Sequence, residues 1–109
     1  MDQKKIIQYG DELYDALITR QTIAPITERS PEVTIEDAYA IQNQMISRRI
    51  EAGEKIVGKK VGCTSQVVMD MLDVNQPDFG YLLTDMVFSE GQDIPVSEKM
   101  IQPKAEGEI

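Results

Sequence analysis

The chain has 109 residues, of which 41% are apolar and 28% charged, so it has room for one small domain with a thin core and shows no disorder signature. The net charge of −8, carried by both signs along the whole chain, argues against nucleic acid or an anionic membrane surface as partners. Histidine is absent and Cys63 is the single cysteine. Within this chain that excludes Ser-His-Asp and Cys-His schemes, His-containing zinc sites and an internal disulfide.

A lone thiol fits a reducing cytoplasm. No apolar run approaches the roughly 18 residues that a membrane span needs, and "MDQKKIIQYGDELY" lacks the apolar centre of a signal peptide.

Residues 3–20 predict an amphipathic helix, with Ile6, Leu13 and Leu17 on one stripe and Tyr14 and Ile18 widening it. "IAPITERSPEVT" (23–34) holds two prolines and reads as a connecting loop. Thr34 is a good N-cap, with Asp37 three residues on as a weak capping box. The helix that follows would bury Ala38, Ile41, Met45 and Ile46 and stop at Gly53.

"KIVGKKVGC" (55–63) then reads as a strand and "TSQVVMDMLDV" (64–74) as a short helix capped by Thr64 or Ser65. "NQPDFGYL" (75–82) reads as a turn-rich loop. "DMVFSEGQDIPV" (85–96) reads as short strands about a Gly turn, and "MIQPKAEGEI" as ending in a further strand. Helices first and strands later make an α+β pattern. The methionines, Met71 and Met86 among them, read as core filler. No internal repeat, P-loop, G-x-G-x-x-G or EF-hand pattern occurs.

In a strand, Glu106 and Glu108 would point to one face with Cα atoms roughly 7 Å apart. Paired carboxylates repel unless a cation or protons lie between them, and hard divalent ions take oxygen ligands. A solvated strand face explains E-x-E more simply. In "VGKKVG", Gly58, Lys60 and Gly62 share a face, which leaves space beside the ammonium for a small anion. The other reading is an edge strand protected by lysines.

"GCTS" enters a helix start, where amides favour carboxylates, although capping alone explains Thr64 and Ser65. Asp78, between Pro77 and Phe79, is an acid/base candidate in a partly apolar turn, or a turn aspartate bonding its own backbone. Together these residues suit metal-assisted chemistry on a small keto acid, in which an enolate must be stabilised.

"GDELYDAL", "EDAYAIQ", "GKKVGCTS", "QPDFGYL" and "SEKMIQPKAEGEI" closely resemble, in order and spacing, the N-terminal part of the bacterial 2-hydroxypenta-2,4-dienoate (2-keto-4-pentenoate) hydratases of the fumarylacetoacetate hydrolase superfamily. The resemblance runs along nearly the whole chain. It implies a hydro-lyase of aromatic meta-cleavage catabolism that adds water to 2-hydroxypenta-2,4-dienoate and gives 4-hydroxy-2-oxopentanoate. It also implies Mg²⁺ or Mn²⁺ held by Glu106, Glu108 and a third carboxylate further along. Lys60 takes the place of the family's active-site lysine, Asp78 becomes a proton shuttle, and Thr64 and Ser65 become substrate-binding candidates.

The same resemblance implies a helical region over 1–54 and the first strands of a β-rich catalytic domain over 55–109. It further implies a homo-oligomer and a pathway decarboxylase as a partner. Family members are about twice as long or more, against a domain mode of about 100–150 residues. The expectation is therefore a fragment that ends inside a strand and is not fully active alone. Two other readings compete: the sister 2-oxo-3-hexenedioate (4-oxalocrotonate) decarboxylase, and a noncatalytic module with an incomplete metal site.

Overall fold

The computed structural model describes residues 1–96 and 100–108. Helix α1 (Gln3–Thr19) opens at Asp2, whose side chain accepts from the Lys5 N–H, and closes at Arg20 in the left-handed region (φ 59°). A short helix α2 (Ile26–Arg29) follows where a loop was expected. Pro25 favours it: its fixed φ suits the residue before a first turn, and its missing N–H costs nothing there.

Helix α3 (Ile35–Glu51) carries a full capping box between Thr34 and Asp37, with Gly53 (φ 106°) just beyond its end, as the sequence predicts. The N-terminal ammonium of Met1 adds a further partner to Asp37 at 3.2 Å.

α1 and α3 pack on each other, and the core between them centres on Tyr9, Ile41 and Ile46. The predicted stripe on α1 is only half-buried, Ile18 is exposed, and the innermost residues are Tyr9 and Gly10. The reason is close approach. A Cβ on Gly10 would collide with the Gln44 side chain, so glycine lets α3 come down onto α1 at that point. On α3, Ile41 and Ile46 are buried as predicted, Ala38 is exposed and Met45 is half-buried.

Tyr9 Oη and Ser30 Oγ hydrogen-bond at 2.8 Å in this core. Arg29 spans the outside, its guanidinium 4.8 Å from the Tyr9 ring centre and bonded to Glu12 at 2.6 Å. Arg49, also buried, donates to Glu54 at 2.8 Å.

The second half is built on an antiparallel ribbon of β1 (Ile56–Gly62) and β2 (Asp78–Leu83). The register pairs Lys60 with Gly80 and Gly62 with Asp78, and one extra residue bulges β1 between Ile56 and Gly58. Between the strands lies α4 (Gln66–Leu72), capped by Ser65, whose hydroxyl accepts from the Val68 N–H at 3.2 Å.

Residues 75–82 are therefore not the loop that the sequence predicts: Pro77 ends the loop and the strand begins at Asp78. The strands expected in 85–96 do not form. A 3₁₀ turn covers Thr84–Met86, and the Gly turn is present, closed by the Gln92 N–H on Ser89 O at 3.0 Å. Residues 100–108 are not a strand either, because no neighbouring strand among the described residues supplies a ladder for them; Ile109 lies outside the described residues. The architecture is α+β, and no helix among the described residues is long and apolar enough to cross a membrane.

Candidate functional site

Of the candidate residues, Lys60 and Asp78 lie on the β1–β2 ribbon, and Glu108 reaches it through Lys60. Lys60 lies near the end of β1, half-exposed, and its Nζ donates to Glu108 Oε1 at 2.7 Å. The Glu108 carboxylate, with the charges of Glu106 and Asp78 beyond it, holds the Lys60 ammonium above the ordinary lysine value. The contact that the structure makes here is the single Lys60–Glu108 pair, and the chain near Glu106 and Glu108 is not the predicted strand.

Asp78 faces Gly62 across the ribbon, and a Cβ on Gly62 would meet the Asp78 carboxylate. Glycine at that position leaves the space that the carboxyl occupies.

The donor chemistry fits a hard divalent ion in part. Glu106 and Glu108 offer carboxylate oxygens of the kind Mg²⁺ and Mn²⁺ take. In the structure Glu108 is bonded to the Lys60 ammonium. Among the described residues no three acidic or cysteine side chains converge to complete such a site.

Thr64 and Ser65 lie where β1 turns into α4. Ser65 is engaged as the helix cap and Thr64 is exposed. Cys63 makes that turn with a left-handed backbone (φ 53°), a conformation unusual for a side-chain-bearing residue outside a turn.

A cleft of about 560 Å³ runs between α3 and the ribbon, lined by Tyr39, Gln42, Lys59, Lys60, Phe79 and Tyr81. Lys60 thus borders both the cleft and the carboxylate group.

Two residues of this wall were not singled out from the sequence. The Tyr39 hydroxyl accepts from the Phe79 N–H at 3.1 Å, and Gln42 Nε2 donates to Phe79 O at 3.2 Å. The signal was present in "EDAYAIQ": two polar side chains three residues apart share a helix face beside the apolar stripe.

Similarity to known proteins runs along the entire chain. It is 52% identical over 109 residues, all of this chain and 49% of the relative, to a 2-hydroxypent-2,4-dienoate hydratase of Pseudomonas putida. It is 46% identical over 111 residues, all of this chain and 42% of the relative, to a 2-hydroxyhexa-2,4-dienoate hydratase of Comamonas testosteroni. The chain therefore spans about half the length of the curated relatives it matches, or less. Among solved structures it is similar to the 4-oxalocrotonate decarboxylase of Pseudomonas putida G7 complexed with magnesium and adipate. That match has a TM-score of 0.72 and 30% identity, over 76% of this chain and 32% of that one. No family model matches the chain.

Proposed function

We propose, from the premise that this chain is a full-length match to part of the 2-keto-4-pentenoate hydratases, that it contributes to a metal-dependent hydratase site. The substrate is 2-hydroxypenta-2,4-dienoate and the product 4-hydroxy-2-oxopentanoate, a step of aromatic meta-cleavage catabolism. The observation that carries this reading is Lys60, which lines the cleft and donates to Glu108 at 2.7 Å.

In this reading Glu106 and Glu108 hold Mg²⁺ or Mn²⁺, with a further ligand outside the described cluster. A bound ion would supply Lewis acidity that stabilises the enolate charge. Lys60 is released from Glu108 to face the substrate carboxylate, and the Thr64 and Ser65 hydroxyls offer it hydrogen bonds. Asp78 takes the proton of the 2-hydroxyl and delivers it to the terminal carbon as the dienol ketonises, which restores its carboxylate. Water then adds across the remaining double bond, its oxygen to the carbon conjugated with the ketone and its proton to the neighbouring carbon. The boundary near residue 54, between helical region and catalytic β-rich part, belongs to the same proposal. So do a cytoplasmic setting, a homo-oligomer and a pathway decarboxylase as partner.

The test is the loss of dienoate absorbance in the presence of the folded chain with Mg²⁺ or Mn²⁺, beside a Glu106→Gln, Glu108→Gln variant. Because the chain spans about half of its relatives, the expected result is slow consumption that needs metal and disappears in the variant. Consumption that ignores metal, or is unaltered in the variant, would contradict the reading.

The likeness to a decarboxylase structure favours one second reading, CO₂ release from 2-oxo-3-hexenedioate. Offering both substrates separates the two, and hydration is the expected outcome because the relatives of 52% and 46% identity are hydratases.

A further inference from the structure

We propose that Tyr39 and Gln42 are positioning residues: together they clamp Phe79 and so fix the neighbouring Asp78 carboxyl over β1. The inference rests on the reading of Asp78 as the group that carries the proton. In an antiparallel pair, alternate residues turn both main-chain polar groups away from the partner strand. On an edge strand those groups point to water or to another strand.

At Phe79 neither happens. Its N–H donates to the Tyr39 hydroxyl at 3.1 Å and its carbonyl accepts from Gln42 Nε2 at 3.2 Å. One helix face thus supplies the donor and the acceptor that a third strand would have supplied. The Tyr39 ring adds a tilted contact with the Phe79 ring, centroids 6.4 Å apart.

The position of the clamp along the ribbon gives it a consequence for the site. Phe79 pairs with Val61, one step from Lys60, and it follows Asp78 directly. Asp78 in turn lies against Gly62, where the absent Cβ leaves room for its carboxylate. A slip of one residue in β2 would turn Asp78 to the opposite face of the ribbon. Bonds to both polar groups of a single residue resist that slip in both directions along the strand. The ribbon by itself is only two strands, which is marginal without support, and among the described residues these are the side-chain bonds that tie α3 to it.

The test uses the full chain, isotopically labelled, with Tyr39→Phe, Gln42→Met and the double variant. Tyr39→Phe keeps the ring contact and removes only the acceptor; Gln42→Met keeps the length and removes only the donor. Amide exchange at Phe79 is expected to quicken by up to about tenfold in Tyr39→Phe, as fits the loss of one hydrogen bond. The Asp78 side-chain carboxyl carbon resonance is expected to move in each single variant and further in the double. Exchange at Ile41 and Ile46, in the helical core, is expected to stay as it was.

An Asp78 resonance unmoved in the single variants would overturn the proposal, even with faster exchange at Phe79, because the clamp would then be structural only. The single variants suffice for this decision if the double does not fold. Hydration unaffected by Asp78→Asn would reject the assigned role of Asp78 and leave these two signals readable, so the two failures are distinguishable.

Discussion

Tyr9 and Ser30 show how much one polar pair decides in so small a core. Both are buried, Ser30 completely, and each is the other's hydrogen-bond partner at 2.8 Å. Removing one hydroxyl strands the other without water. Tyr9→Phe is expected to lower stability by about 1–3 kcal/mol, the usual cost of an orphaned buried hydroxyl, read from the urea midpoint. Ser30→Ala in the same background should then cost little more, since the stranded group is gone.

At this scale the sequence shows candidates where chemistry lies in residue type: the carboxylates, Lys60 and the glycines beside it stand out by type and spacing alone. Tyr39 and Gln42 do not, because their role depends on which main-chain groups of a distant strand happen to face them. Nor does the Tyr9–Ser30 pair, which joins residues 21 positions apart across a loop containing an unexpected helix.

Among the elements, α3 is the most completely specified by its own sequence. Its cap, its stop and its buried isoleucines were all readable, since each depends on neighbours within a turn or two. The strands were harder. β2 hides in a segment rich in Pro, Asp and Gly, and it forms because β1 offers a ladder, which local pattern does not reveal. The reverse holds for 85–96, where apolar residues suggested strands and no ladder partner among the described residues meets them.

The α3 cap also predicts a pH response. The Thr34 N–H and hydroxyl bonded to Asp37, with the Met1 ammonium, hold its carboxyl below the ordinary value. Gln44 and Arg48 do the same for Asp11, and Arg29 and Gln8 for Glu12. A carboxyl with a lowered folded value stabilises the fold above its unfolded value and loses that contribution as pH falls through the folded one. Stability should therefore hold at neutral pH and decline below about pH 4, where unfolded carboxyls begin to protonate. In urea titrations between neutral and acid pH, Asp37→Asn is expected to flatten this decline; an unchanged acid limb would contradict it.

For the whole molecule, the described residues divide into a helical pair with most of the core and a ribbon region that buries little. From Ile56 onward, among the described residues, only Leu83 is fully buried, while Val67, Met71 and Val96 are more than 70% exposed. Met71 and Met86, which the sequence suggests as core filler, thus lie on the surface in this half. Native-state hydrogen exchange should show the consequence: α1 and α3 amides protected to the global limit, and β1, β2 and α4 amides opening at lower free energy. Equal protection throughout would contradict it.

This division also explains why the α+β class was readable while the site's geometry was not. Class follows from local periodicity, whereas the site joins residues 48 positions apart through one ion pair, Lys60 to Glu108.

The central claim is that Glu106 and Glu108 are ligands for a divalent cation. The most direct measurement is a Mn²⁺ titration followed by the electron paramagnetic resonance signal of the free ion. Native chain is expected to deplete that signal saturably, and the Glu106→Gln, Glu108→Gln variant, equally folded, to leave it close to the buffer control. Equal depletion by both proteins, or none by the folded native chain, would contradict the account.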